Sequence, residues 1–136
     1  MPKRIMVVDD DKEVQEIVAF VLHCNGFEVI SALNGKQMQR HLVEHHAQLP
    51  DLIILDVMMP GEDGYRIFSG LRRDPQTQHI PVIVMTAHTE DIYQRVSVDL
   101  GAALHVTKPF HPVELAEKVK VLLDGGQQPT IGDNRN

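Results

Sequence analysis

The chain has 136 residues, with 13 Lys and Arg against 19 Asp and Glu for a formal charge of −6, and that length makes one domain the default. At 43% apolar and 24% charged residues it can bury a full core, which excludes a disordered chain. An acidic balance without a basic run gives no footprint for a phosphate backbone and repels anionic membranes, so neither nucleic acid nor a membrane is expected as a direct partner.

A lone cysteine, Cys24, cannot close an internal disulfide, and the first apolar run meets Asp9 and Asp10 too soon for a signal peptide. No run approaches the ~20 apolar residues of a membrane span. These features point to the cytoplasm.

Residues 5–8 (IMVV) read as a first strand. Val14, Ile17, Val18, Val21 and Leu22 then recur at i, i+3, i+4, i+7 and i+8, a single helical stripe ended by Asn25-Gly26. A second strand is expected over 27–30, followed by a helix over 36–46 with Met38 and Leu42 inward. The third strand, 52–55, precedes a helix over 65–73 that Asp74-Pro75 closes. The fourth strand, 82–85, leads to a helix over about 90–100 with Ile92, Val96 and Leu100 as its stripe. A weaker run over 103–106 is the fifth strand, and the last helix starts near Pro112, turning Leu115, Val119 and Leu122 inward. Residues 125–136 hold too little apolar content to pack and read as a flexible linker or tail beyond a domain of residues 1–124.

The first, third and fourth runs are continuously apolar, as strands covered on both faces are. Five strand–helix repeats with short loops therefore predict an α/β protein with a doubly wound, five-stranded parallel sheet. In such sheets ligands sit beyond the carboxyl ends of the strands.

Those ends carry chemistry. Asp9, Asp10 and Asp11 follow the first strand, Asp56 ends the third, Thr86 ends the fourth, and Lys108-Pro109 follows the fifth. Asp11 fits a helix N-cap. The other carboxylates would repel one another unless a cation neutralised them, and an oxygen-only ligand set suits Mg²⁺ or Mn²⁺. A hydroxyl and an ammonium beside such an ion suit a phosphoryl group. With no Ser, Cys or His at these ends, the candidate nucleophile is a carboxylate, and an aspartyl phosphate is the expected product.

The motifs IMVVDDD at 5–11, DLIILDVMMPGEDG at 51–64, IPVIVMTA at 80–87 and TKPF at 107–110, in this order, resemble the receiver domains of two-component response regulators, whose fold is the flavodoxin-like (βα)5 fold of the chemotaxis response regulator. The resemblance spans about residues 3–124. It implies that Asp56 is the phosphoacceptor and that Asp10 ligates Mg²⁺ directly. Asp9 then lies close by or acts through water, the Met58 carbonyl completes the protein's share, and Thr86 and Lys108 contact the phosphoryl oxygens. It further implies a sensor histidine kinase or phosphotransfer protein as donor, and a downstream effector or an output domain as target. Homodimerisation through the fourth helix, fifth strand and fifth helix is left open. Such a domain catalyses its own phosphotransfer and dephosphorylation and is not expected to turn over an independent substrate. Pro109 resembles the proline, cis in this family, that aims the lysine.

The chain departs from the pattern at His105, three residues before Lys108, where receivers carry Tyr or Phe that swings inward on activation. A histidine there adds a titratable group to the switch in which Thr86 takes part. Met58 and His88, each two residues beyond Asp56 and Thr86, stand where the family tunes the lifetime of the phosphoryl group. Two other readings compete. A haloacid dehalogenase-type phosphatase would want a second Asp two residues after the nucleophile, where this chain has Met58, and a cap for which it has no spare length. A receiver that works unphosphorylated as an interaction module would not need the full set of Asp9, Asp10, Asp56, Thr86 and Lys108. His41 and His45 lack a third ligand for zinc and read as a polar helix face.

Overall fold

A computed structural model of the chain describes residues 2–87 and 91–124. His88 and the expected tail at 125–136 lie outside the described residues, as does the side chain of Ile92. The element order is β1 (Arg4–Val8), α1 (Lys12–Cys24), β2 (Glu28–Ala32), α2 (Gly35–Glu44), β3 (Leu52–Asp56), α3 (Gly64–Arg73), β4 (Val82–Thr86), α4 (Asp91–Asp99), β5 (Leu104–Thr107) and α5 (Pro112–Leu123). The strands form one parallel sheet in the order β2-β1-β3-β4-β5.

Burial on both faces explains the unbroken apolar runs. Ile5, Val7, Leu52, Ile54, Ile83 and Met85 point to one side, where Val18 and Leu22 of α1 and Leu115 and Val119 of α5 cover them. The alternate residues Met6, Val8, Ile53, Leu55, Val82 and Val84 point to the other, against Met38 and Leu42 of α2 and Phe68 and Leu71 of α3. Burying each such side chain contributes about 1.5–3 kcal/mol, so the three central strands hold the molecule together. The order reverses direction at β1, which pairs with β2 on one side and β3 on the other. A crevice at the carboxyl ends of β1 and β3 follows from that reversal.

The helix starts follow local chemistry. The side chain of Asp11 accepts hydrogen bonds from the backbone N–H groups of Glu13 and Val14 and caps α1, as expected. Asp63 caps α3 in the same way, and Asn34 caps α2. Such caps are each worth about 1 kcal/mol. α5 begins at Pro112, whose missing N–H costs nothing in a first turn.

The expected stripe of α1 is rotated. Gln15, Val18 and Leu22 are its buried residues, while Ile17 is 49% exposed. The rotation puts a polar side chain in an inward slot because Gln15 finds hydrogen-bond acceptors there, as described below. Its Oε1 has no partner among the described residues.

One glycine fixes the loop after β3. A Cβ on Gly64 would lie 2.2 Å from the Cα of Val57, whereas one on Gly70 would meet nothing within 4 Å. The start of α3 can therefore close against the residue after Asp56 only without a side chain at 64. Gly64→Ala is expected to destabilise the fold by about 3 kcal/mol or more. Gly70→Ala, in the interior of the same helix, is expected to stabilise it by about 0.8 kcal/mol through helix propensity. Urea denaturation of the two variants checks both signs.

Candidate functional site

The carboxyl edge of the sheet brings together residues far apart in the chain. Asp9 follows β1, Asp56 ends β3, Thr86 ends β4, and Lys108 follows β5. Parallel pairing sets them level: Asp56 stands opposite Met85, and Thr86 opposite Thr107. The backbone N–H of Lys108 donates to the Thr86 carbonyl at 2.8 Å, so the lysine is placed by the strand that carries the threonine. The Lys108–Pro109 peptide bond is cis.

Lys108 is the centre of the charge arrangement. Its Nζ lies 2.8 Å from Oδ2 of Asp9 and 3.0 Å from Oδ2 of Asp56. Asp9 is fully buried and Asp56 is 2% exposed. The second oxygen of each carboxylate is also held: Oδ1 of Asp9 accepts the Asp11 N–H at 2.9 Å, and Oδ1 of Asp56 accepts the Met58 N–H at 2.8 Å. Asp10 is exposed, and Thr86 is fully buried.

Burial raises the pKa of Asp9, and the charge of Asp56 adds to that, against the lowering pull of Lys108 and the Asp11 N–H. Burial alone would lower the pKa of Lys108, but its hydrogen bonds and charge attraction to Asp9 and Asp56 outweigh this and raise it. The lysine is doubly stabilised because its single ammonium serves two carboxylates, whereas for Asp9 burial is the larger cause and the neighbouring charge the smaller.

Three carboxylates converge at this edge. Ligand oxygens of Asp9, Asp10 and Asp56 all lie within 4.8 Å of one another. A hard divalent cation matches an all-oxygen donor set of this charge, and the residues fit Mg²⁺ or Mn²⁺. Met58, whose carbonyl the resemblance adds to the set, is an exposed residue two positions after Asp56, tied to it through its own N–H.

The loop between Asp56 and α3 is tied at its far end too. Oε1 of Glu62 accepts the backbone N–H of Gly35 at 2.8 Å, so the loop provides a carboxylate to the start of α2. A Cβ on Gly35 would approach that oxygen to 2.9 Å.

His105 lies in β5, half-buried, its Nε2 without a partner among the described residues. Burial lowers its pKa, so it is neutral at pH 7. Acidification through the ordinary value of 6.5 protonates the unfolded chain first and drains stability. His41 and His45 stack with ring centroids 4.3 Å apart on α2, and among the described residues no third ligand joins them. Two contributors escaped sequence reasoning: Gln15, hidden because a polar residue inside an apolar stripe reads as solvent-facing, and Glu62, whose partner is a backbone group.

A doubly wound sheet with acids, a hydroxyl and a lysine at its carboxyl edge defines a flavodoxin-like protein of the chemotaxis-regulator type. The response regulator receiver domain profile matches residues 5–120, and the protein belongs to that family, a component of two-component signalling. It is 37% identical over 123 residues to the phosphate regulon transcriptional regulatory protein PhoB of Escherichia coli, a match covering 90% of this chain and 52% of PhoB. The chain thus spans about half the length of the curated relatives it matches. Among solved structures, a response regulator from Thermotoga maritima superimposes with a TM-score of 0.80 at 27% identity, covering 92% of this chain and 100% of that one. Chemotaxis response regulator CheY4 of Vibrio cholerae gives 0.79 at 25% identity, covering 88% and 98%.

Lys108→Ala leaves the buried Asp9 and Asp56 without their shared cation, at an expected cost of about 2 kcal/mol at pH 7. Because the variant raises the Asp9 pKa further, the loss should shrink as pH falls and that carboxyl takes up a proton. Wild type keeps the lysine's contribution until pH rises through its raised pKa, above the ordinary 10.5. Thermal melts of both proteins across pH without divalent cation check the convergence at acid pH.

Proposed function

We propose that this receiver accepts a phosphoryl group from a phosphohistidine of a sensor histidine kinase or phosphotransfer protein onto Asp56. The observation that supports this most is the nearly buried Asp56 carboxylate in contact with the Lys108 ammonium, beside two further acids. A carboxylate oxygen of Asp56 attacks phosphorus in line, the P–N bond breaks, and the histidine ring leaves with its electron pair to give an acyl phosphate. Asp9, Asp10, Asp56 and the Met58 carbonyl would hold Mg²⁺ (or Mn²⁺), which when bound neutralises charge shared between the phosphoryl oxygens and the acids.

Lys108 is already aimed at the acceptor carboxylate, so its ammonium can pass to a phosphoryl oxygen with little movement. Thr86 closes the same edge from β4, where its hydroxyl can contact a phosphoryl oxygen. The two are linked through the Thr86 carbonyl and the Lys108 N–H, so a displacement of either residue reaches β5. We read this link as the start of the switch. His105, three positions back along β5, puts a neutral imidazole in that path, where the family carries Tyr or Phe. Met58 and His88 would set the lifetime of the phosphoryl group. Output through protein contacts, to an effector or an attached output domain, fits an acidic chain without a basic run, and the face formed by α4, β5 and α5 would be the one to meet a second copy. No described helix is long and apolar enough to cross a membrane.

Incubation with acetyl phosphate and Mg²⁺ is expected to add one phosphoryl group by intact mass. Asp56→Asn and samples treated with chelator should show none. Lys108→Ala should label more slowly by about a hundredfold, the usual consequence of removing one preorganised donor. Absence of the adduct with both acetyl phosphate and a cognate kinase would reject phosphotransfer and leave the binding-module reading. Steady release of phosphate from small phosphomonoesters would instead favour the phosphatase.

A further inference from the structure

The buried face of α1 carries one polar side chain. Gln15 is 5% exposed and sits in line with Val18 and Leu22. Its Nε2 lies 2.9 Å from the carbonyl oxygen of Val7, 3.1 Å from that of Asp9 and 2.9 Å from that of Ala32. Two N–H groups are thus shared among three acceptors, and the opposite amide orientation would set an oxygen against three oxygens.

The location of these acceptors gives Gln15 a task. The β1–β2 ladder ends at the pair Val8 and Ala32. Beyond it, the Asp9 N–H donates to the Ala32 carbonyl at 3.0 Å, and the next residues leave the sheet. Gln15 holds the Ala32 carbonyl from a second direction and takes the carbonyl of Asp9 itself. With Oδ1 of Asp9 on the Asp11 N–H and Oδ2 on Lys108, the backbone and side chain of Asp9 are both pinned. Gln15 supplies the hold on the carbonyl. An apolar residue in this slot would pack against the sheet as Val18 does, but would leave the turn that presents Asp9 and Asp10 without that anchor.

We infer that Gln15 is a positioning residue for the acidic edge: its buried amide fixes the turn after β1 so that Asp9 and Asp10 are presented to a divalent cation. The inference rests on the Mg²⁺-dependent receiver reading above. It concerns cation affinity and is separable from stability, because Gln15 touches the carboxylate-bearing backbone whereas Val18, one turn along the same buried face, is packed only in the apolar cluster.

The test is a Mg²⁺ titration of the folded protein, followed by backbone amide NMR shifts at Asp9 and Asp10, for wild type, Gln15→Met and Val18→Ala, with thermal melts alongside. Methionine keeps the length and volume of the side chain and removes the donors. Residues that orient metal ligands from behind typically alter affinity ten- to a hundredfold, so Gln15→Met is expected to raise the Mg²⁺ Kd about tenfold. Val18→Ala should lower the melting temperature at least as much and leave the Kd unchanged. An unchanged Kd in Gln15→Met, or an equal weakening in Val18→Ala, would overturn the proposal. Should Gln15→Met not fold, Gln15→Asn, with its amide one carbon short, takes its place: a Kd raised about threefold or more supports the role, and a wild-type Kd refutes it. If wild type itself takes up no Mg²⁺, the receiver reading fails first and this inference with it. That outcome differs visibly from a wild type that binds normally beside an unaffected variant.

Discussion

Two buried carboxylates share the ammonium of Lys108 at 2.8 and 3.0 Å, and much of the architecture exists to make that contact bearable. Like charges about 5 Å apart repel by roughly 3 kcal/mol even with generous screening, so Asp9 and Asp56 cannot be brought together without a counter-charge. The lysine provides one charge against two, with Asp10 close by as a third acid. The imbalance leaves the edge short of positive charge, and in the proposed function a small hard cation would repair that deficit before an anionic phosphoryl group is held.

The fold places this tension where the sheet can sustain it. β1, β3 and β4 are buried along their whole apolar length and bring Asp9, Asp56 and Thr86 to one level, while β5 is shorter and only partly covered. The acids therefore stand on rigid strands, and the lysine comes from the less buried edge. A responsive group on the softer element and fixed groups on the harder ones is an arrangement that lets a change at the site alter the edge of the sheet without disturbing its centre.

Much of this was legible in the sequence. Unbroken runs such as LIIL at 52–55 admit few environments other than a strand covered on both faces, and the strand ends follow from them. Family resemblance then assigned roles to Asp56, Thr86 and Lys108 that composition alone could not. Boundaries slipped where local signals were weak: the second strand begins at Glu28 and runs to Ala32, and α2 starts at Gly35, because Asn34 caps it. The phase of α1 was not legible. Ile17 satisfies the helical stripe better than Gln15 does, and only the carbonyls of Val7, Asp9 and Ala32, supplied by two strands, explain why the polar residue turns inward. Glu62 was hidden for a similar reason, since a bond to a backbone N–H leaves no mark on the partner's residue type.

The contact between Lys108 and Asp9 spans 99 positions of the chain. The acids come first in the chain, and a chain ending before β5 would possess three carboxylates without the Lys108 ammonium that contacts two of them. The charge contacts of the edge therefore form only once β5 has paired with β4, so a strand at the margin of the sheet decides the balance of charge at its centre.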